Sequence, residues 1–424
     1  MKLFRSLVLI SIILVILIVP ASFASKRTGA VVKIPFPIVG ENISLESQKV
    51  KIIVFSTFIE VFAEYRVKNN NKEDITATIG FPVNLHSVDT SKGESPILGI
   101  SALKRKKDED YFVKREIDGN ASLDADRPYR IWYKWDMDIR KGGAEIVKLH
   151  YYVKMDRKDG IPNFTYEIKP AKRYVGTIAK TNIEINMPID CKNLPFTSKK
   201  IYKKSSYVYT SFPRPKIQKN ILRWQIADME PREDLEVYFY GKDFPGWKVT
   251  CSSANTAEGH GSDKVLDGNP RTFWLNNTVK NEGSWLEFTP FIFGNEKVGD
   301  YIAPKIYKIA IIPGNGETLS KFYQYPHLRE AIVLIRKKAD DDGEKKSEED
   351  EKKLRRRRET RFIEVSCTAD WTLQSFEAKK EPLDTTKGPA RMKIKSIYPG
   401  QKYKSLCISE VLIFDRKDNE LYGE

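Results

Sequence analysis

The stretch Asp267-Gly268-Asn269-Pro270-Arg271-Thr272-Phe273-Trp274 decides the fold of this chain. It is an acidic, breaker-rich turn that ends in Thr and an aromatic pair. Gly283-Ser284-Trp285-Leu286-Glu287-Phe288 follows as a short alternating strand. Near the C-terminus, Ser396-Ile397-Tyr398-Pro399-Gly400 leads into the apolar run Cys407-Ile408-Ser409-Glu410-Val411-Leu412-Ile413-Phe414. Turn, strand, turn and strand in this order describe a β-sandwich. Trp274, entering a strand from a turn, is expected in its core rather than on its surface.

Upstream the same grammar continues. Lys51-Ile52-Ile53-Val54-Phe55 and Phe58 to Val67 are rich in β-branched and aromatic residues, and the second alternates over much of its length. Asn69-Asn70-Asn71-Lys72-Glu73-Asp74 is a turn, and Ile75 to Pro82 is expected to return as the partner strand. Tyr129 to Trp135 and Glu145 to Val153 flank a Lys141-Gly142-Gly143 turn. Few windows carry a helical period, so the chain reads as all-β, with an N-terminal β-sandwich region followed by a second β-rich region. The expected division is 25–243, with a seam between two subdomains near Asp159 to Pro170, and then 244–424, with the breaker Phe244-Pro245-Gly246 between them. Residues 336–361 hold twelve Lys/Arg and nine Asp/Glu and almost nothing apolar. Such a tract cannot bury enough surface to offset its ordering entropy, so it reads as an exposed insertion between the strands Ala331–Ile335 and Phe362–Val365, which should pair as a hairpin. Its Arg355-Arg356-Arg357-Arg358 run is also open to a polyanion or a protease.

Residues 1–24 have the form of a secretory signal. Lys2 and Arg5 precede an apolar run from Leu7 to Val19, and Ser22-Phe23-Ala24 offers small residues for cleavage before Ser25. The run is shorter than the roughly 20 apolar residues a membrane span needs. The expected location is therefore secreted or extracytoplasmic, with no transmembrane segment after signal cleavage. The formal charge is +15 over 424 residues. Outside the cytoplasm this favours anionic surfaces such as acidic glycans, teichoic acids or lipid headgroups. Lys and Arg are interleaved with Asp and Glu, which argues against nucleic acid as a partner. Cys191, Cys251, Cys367 and Cys407 allow two disulfides in three connectivities, or buried thiols.

Signs of catalysis are sparse. The four histidines, His86, His150, His260 and His327, show no metal-ligand spacing, and no G-x-S-x-G, P-loop, H-E-x-x-H or C-x-x-C occurs. Paired carboxylates of the glycosidase kind occur by chance in any chain with 57 Asp and Glu. The residues point to a non-catalytic binding protein. The alternatives are a structural or assembly protein of the cell envelope and a hydrolase with its site at the domain seam.

Taken together, the two ends of the region from Trp247 to the C-terminus resemble the discoidin (coagulation-factor type C) family, in particular its bacterial NADase-type glycan-binding branch. The resemblance implies a galactose-binding-like jelly roll and a carbohydrate or another anionic surface polymer as partner. NAD hydrolysis is not implied, because it belongs to a separate domain that this chain does not show. Related carbohydrate-binding modules hold a structural calcium near the D-G-x-x-x-T turn, closed by a Glu on the last strand. Asp267, Thr272 and Glu410 match those positions. In the alternative, Asp267 caps the turn, Thr272 bonds locally and Glu410 pairs with a nearby Lys or Arg. The branch carries an N-G-aromatic turn and an N-x-R in its binding loop. This chain keeps Asn315, Gly316 and Arg329, with Glu317 in place of the aromatic and Leu328 near the expected Asn. Asn315, Glu317, Tyr323, Tyr325, His327 and Arg329 are accordingly the expected ligand-binding residues. They offer the amide, carboxylate, ring, imidazole and guanidinium groups that read sugar hydroxyls. The first half resembles a poorly characterised β-rich domain of exported bacterial proteins. That likeness rests on Tyr65-Arg66-Val67-Lys68-Asn69, Ile79-Gly80-Phe81-Pro82, Tyr151-Tyr152-Val153, Tyr166-Glu167-Ile168, Trp224-Gln225-Ile226 and Met229 to Leu235, and it implies fold and compartment but no chemistry.

Overall fold

The structure, a computed structural model, describes residues 30–84, 97–104, 111, 113–117, 129–155, 157–158, 161–188, 191, 196–197, 207–240, 245–278, 281–292, 304–336 and 361–416. Residues 1–24, expected to be a signal, and nearly all of the charged stretch 336–361 lie outside them. Among the described residues the chain is β throughout, apart from short 3-10 turns and one α-helix, Leu319–Gln324. No described helix is long and apolar enough to cross a membrane.

The first region is a sandwich of twisted sheets. Its largest sheet has seven strands, with Ile178–Asn186, Ile43–Val54, Phe58–Asn69 and Ala144–Lys154 side by side in the middle. A four-stranded sheet contains Phe36–Val39, Ile75–Asn84, Tyr129–Ile139 and Lys114–Ile117. The strand after the Asn-rich turn therefore does not pair with the strand before it. Ile75–Asn84 lies between Phe36–Val39 and Tyr129–Ile139 in the second sheet. The turns at 69–74 and 140–143 are both corners between sheets. Asn69 holds the two corners together. Its buried Nδ2 donates to Glu73 O at 2.8 Å and Ile139 O at 3.1 Å, while its Oδ1 accepts from the Asn71 N–H at 2.8 Å. The Asp74 carboxylate accepts the Lys141 N–H at 2.7 Å. These bonds satisfy backbone groups that a change of sheet would otherwise leave orphaned.

A third sheet adds Ala30–Lys33 in parallel to Ile161–Glu167. Lys33 and Glu167 form a buried ion pair there (Nζ to Oε2 3.2 Å), within a cluster where Tyr65, Tyr151, Tyr166 and Gln48 share hydrogen bonds. Tyr65 and Tyr151 also reach the Lys33 carbonyl. Burial raises the hydroxyl pKa of all three tyrosines, so they are fixed donors and acceptors rather than acids.

The second region has its own core, from Trp247 through Trp274, Phe288 and Leu328 to Ile413. Its main sheet contains Pro245–Cys251, Trp285–Ile292, Ala390–Tyr398 and His327–Ile335 in that order, then Cys407–Ile408 and Trp274–Leu275. Lys308–Ile312 pairs with Glu410–Phe414 and Gln374–Glu377 in the facing sheet. The strands flanking the charged insertion pair as a hairpin, with Val333 opposite Ile363 and Glu330 opposite Ser366. Trp274 is fully buried, and its indole N–H donates to Ser253 O at 2.8 Å. No disulfide forms among the four cysteines; Cys191, Cys367 and Cys407 are buried, and burial pushes the Cys367 thiol up to about 12.

A separate apolar cluster joins the regions. Ile53, Phe55, Phe58, Leu98 and Tyr152 from the first pack on Ala310, Leu412 and Phe414 from the second. Phe55 stacks on Phe58 at 4.5 Å, and Phe414 meets both edge-on at 5.1 and 4.9 Å. Polar contacts flank it: Ser56 Oγ–H donates to Asp415, and Arg416 Nη1 donates to Asn186 Oδ1 at 3.0 Å.

Candidate functional site: an aromatic rim beside an acid turn

The turn at 267–274 folds on itself. Asp267 Oδ1 accepts the Asn269 N–H at 3.0 Å, and Asn269 Oδ1 accepts the Arg271 N–H at 3.0 Å. Thr272 Oγ1 lies 2.7 and 2.9 Å from the two Asp267 oxygens and donates to that carboxylate. Gly268 takes φ +70°, the left-handed region that glycine adopts freely. Glu410, at the start of the last strand, is brought beside this turn. It accepts backbone N–H groups of Gly268 and Val411, yet its Oε2 has no hydrogen-bond partner and the residue is 1% exposed. Burial and the Asp267 charge raise the Glu410 pKa, while burial raises that of Asp267. The three residues expected around a calcium are thus close together. Among the described residues no group of three His, Cys, Asp or Glu side chains is arranged for a metal.

The acid turn supports the loop that follows Pro313. A Cβ on Gly316 would sit 2.8 Å from Pro270 O, so the two turns are in contact. Gly316 N–H donates to Ser409 Oγ at 2.9 Å, and buried Asn315 accepts the Glu317 N–H at 3.0 Å. Thr318 caps the helix by accepting the Lys321 N–H, and the Glu317 carboxylate meets Lys321 Nζ at 2.5 Å. Phe322 turns inward and His327 packs on it at 4.1 Å, with Tyr398 on another side at 5.1 Å. His327 Nδ1 lies 3.2 Å from Tyr325 O and donates to it in the neutral tautomer; burial holds the imidazole pKa below its usual range.

The expected ligand residues therefore occupy two layers. Asn315 and His327 lie in the supporting layer, and Glu317 is paired within the loop. Tyr323, Tyr325 and Arg329 reach water to different degrees. Tyr323 is 37% exposed and its hydroxyl donates to Ala369 O at 3.4 Å. Tyr325 is half-buried; burial and then neighbouring Tyr403 push its hydroxyl up to about 12. Arg329 is exposed, its guanidinium 5.6 Å from the Tyr398 ring.

Sequence reasoning missed the loop that completes this surface. Gln401 N–H donates to Tyr323 O at 2.9 Å, and the Lys402 and Tyr403 N–H groups donate to Gln324 O at 3.0 and 2.9 Å. Tyr403, 38% exposed, stacks on Tyr325 with ring centres 4.2 Å apart and planes 18° apart. Lys402 Nζ lies 5.2 Å from the Tyr403 ring. The row continues through Phe273, 5.3 Å from Tyr325, to His260, which stacks on Phe273 at 4.2 Å. Gly400 is required here, because a Cβ would lie 2.5 Å from the backbone of Tyr325 and Pro326. The available signal was Tyr398-Pro399-Gly400-Gln401-Lys402-Tyr403-Lys404, a turn carrying cations around an exposed ring.

Away from the rim, His150 Nε2 and Glu60 Oε1 lie 2.9 Å apart on the large sheet of the first region, with His150 stacked on Phe62 at 4.4 Å.

No protein-family description matches this chain, and no curated relative matches it. Partial likenesses to solved structures exist. A proposed nutrient-binding protein from Legionella pneumophila aligns over 51% of this chain and 72% of its own at 14% identity, with a TM-score of 0.38. CBM32-5 of CpGH89 from Clostridium perfringens, solved with GalNAc-β-1,3-galactose, aligns over 40% of this chain and 94% of its own at 15% identity, with a TM-score of 0.25. Yeast LTA4 hydrolase aligns over 50% and 30% at 6% identity, with a TM-score of 0.30. With all three scores below 0.5, no activity of these proteins transfers to this chain.

Proposed function

We propose that this chain is an exported binding protein whose C-terminal sandwich, a galactose-binding-like domain of the discoidin type, holds a carbohydrate on the rim formed by residues 319–329 and 399–404. One observation carries the reading: Tyr323 and Tyr403 stand in water on two loops tied by backbone hydrogen bonds, with Tyr403 fixed face to face against Tyr325. A rigid ring loses little entropy when it becomes a platform, and its apolar face suits the C–H face of a sugar. Lys402, Lys404 and Arg329 are exposed around it, which favours a sugar chain that carries carboxylate, sulfate or phosphate. The exposed side chains of the two loops, Tyr323, Tyr403, Lys402, Lys404 and Arg329, are groups that orient a ligand, which favours binding over chemistry at this rim. A hydrolase at the joint would need a cleft where Phe55, Phe58, Tyr152 and Phe414 instead pack ring on ring. Export is supported by the composition of residues 1–24.

The test is an array of neutral and acidic oligosaccharides probed with the full mature chain. Retention of acidic members, reduced by added salt, is the expected result. No retention at millimolar ligand by folded protein would remove the carbohydrate reading and leave an envelope assembly role as its replacement.

A further inference from the structure

We propose that Asn281, which lies outside both rim loops, is the positioning residue of the rim: its buried side-chain amide sets how the chain descends from the loop at 399–404 and so holds Tyr403 against Tyr325. The inference rests on the reading of that rim as the carbohydrate platform.

The leading side of the loop is tied by the backbone bonds that Gln401, Lys402 and Tyr403 make to Tyr323 O and Gln324 O. On the trailing side, Lys404 to Leu406, the chain drops from the exposed ring of Tyr403 into the strand Cys407–Ile408. Backbone polar groups in such a drop need partners. One side chain serves two of them. Asn281 Nδ2 donates to Lys404 O at 2.8 Å, and Asn281 Oδ1 accepts the Leu406 N–H at 2.9 Å. A planar amide presents a donor and an acceptor at a fixed spacing, so the two bonds set both the separation and the direction of these backbone groups. The Leu406 N–H also decides which way round the amide stands, because only its oxygen can accept. Nδ2 then faces Lys404 O, one residue from Tyr403.

The amide is itself held. Its Oδ1 accepts a second bond from Asn276 Nδ2 at 3.1 Å, and the Asn281 carbonyl accepts the Ser284 N–H at 3.2 Å. Asn276 is fully buried, and its N–H donates to Leu406 O at 2.9 Å. Asn276 Oδ1 accepts from Ser253 Oγ, and the Ser253 carbonyl takes the indole N–H of Trp274 at 2.8 Å. The network thus runs from the core tryptophan to the residue after Tyr403. Asn281 is 7% exposed, so the backbone groups it serves lose their partner if its amide is removed. A ring binds best when it is held in place before the ligand arrives, and that is the part assigned to Asn281.

Asn281→Asp tests this, because it keeps an oxygen for the Leu406 N–H and Asn276 Nδ2 and removes only the donor to Lys404 O. At neutral pH a carboxylate meets that carbonyl with no proton between them; in mildly acidic buffer the protonated acid donates in place of the amide. The full mature chain is followed by hydroxyl-radical footprinting without ligand and by titration with a sulfated hexasaccharide, with the wild type as control at each pH. At neutral pH, Tyr403 and Tyr325 of Asn281→Asp should be more reactive than in the wild type, with Trp274 unchanged. Affinity for the sulfated hexasaccharide should be about tenfold weaker, as expected for one unsatisfied buried group. Both effects should reverse as the pH falls. Wild-type protection of Tyr403 at neutral pH overturns the inference. So does a rise in reactivity that includes Trp274 or persists in acid, because either marks a general loss of structure. A wild type that does not bind the hexasaccharide counts against the carbohydrate reading instead, and the Tyr403 footprint still decides for or against Asn281. Asn281→Ser carries the test if Asn281→Asp does not fold: its hydroxyl is too short to serve both backbone groups, so Tyr403 should be more reactive at every pH, and wild-type protection in it is equally fatal.

Discussion

The joint between the two regions and the rim of the second are both built from aromatic rings, but they are used in opposite ways. At the joint, Phe55, Phe58 and Phe414 are at most 1% exposed, whereas at the rim Tyr323 and Tyr403 are 37% and 38% exposed. A phenylalanine offers water nothing, so three of them packed together make a permanent contact. A tyrosine keeps a hydroxyl for water or a ligand, so a stacked pair at the surface is a ready platform. Three consecutive residues of the deciding turn show the same sorting. Thr272 donates to the Asp267 carboxylate, Phe273 joins the aromatic row, and Trp274 fills the core.

The comparison is broken most easily by truncating rings on each side. Phe414→Ala at the joint should lower unfolding free energy by about 3–5 kcal/mol, as large-to-small core changes do. Tyr403→Ala should change it by within about 0.5 kcal/mol, as surface changes do. Chemical denaturation of both variants measures the contrast, and similar losses would mean that the rim is structural. Next in size is Gly268→Ala, which puts a Cβ at φ +70° and against Lys154; about 2 kcal/mol of destabilisation is expected from the left-handed backbone and the clash together. The same denaturation curves read it out.

A smaller effect, on binding alone, sharpens the comparison. Tyr325→Ala with Tyr403→Ala removes the stacked pair, and at about 0.5–1.5 kcal/mol per ring contact the affinity for an acidic oligosaccharide should fall roughly tenfold with stability little changed. Equilibrium titration decides this, and unchanged affinity would move the site elsewhere. The smallest effect is a pH dependence beneath the rim. Burial lowers the His327 pKa in the folded chain, so between that value and the unfolded value of about 6.5 the unfolded chain binds more protons. Stability from this residue is present above about pH 6.5 and is lost as pH falls through the folded value. The loss between neutral and mildly acidic pH should be shallower in His327→Phe, as followed by denaturation midpoints.

What the sequence made legible was mostly local. The turn at 267–274, the buried Trp274 and the hairpin across the charged insertion depend on short-range patterns, and each is found in the structure. The partner of Ile75–Asn84 was not legible, because a period-2 pattern reports which face is buried and not which sheet a strand joins. Asn69, whose amide bridges two corners, made that choice from within an unremarkable run of asparagines. At the rim, residues 313–329 were identified but their second layer was not. Tyr403 reaches Tyr325 only because Gly400 lets one loop lie on the other, a contact between segments far apart in the chain.

The central claim is that the paired loops at 319–329 and 399–404 are the working surface and that the joint is sealed. Hydroxyl-radical footprinting of the full mature chain, with and without a retained oligosaccharide, addresses both halves at once. The predicted result is ligand-dependent protection of Tyr323, Tyr325 and Tyr403, with Phe58 and Phe414 unreactive throughout. Tyrosines equally reactive with and without ligand, or protection that appears only in the first region, would contradict it.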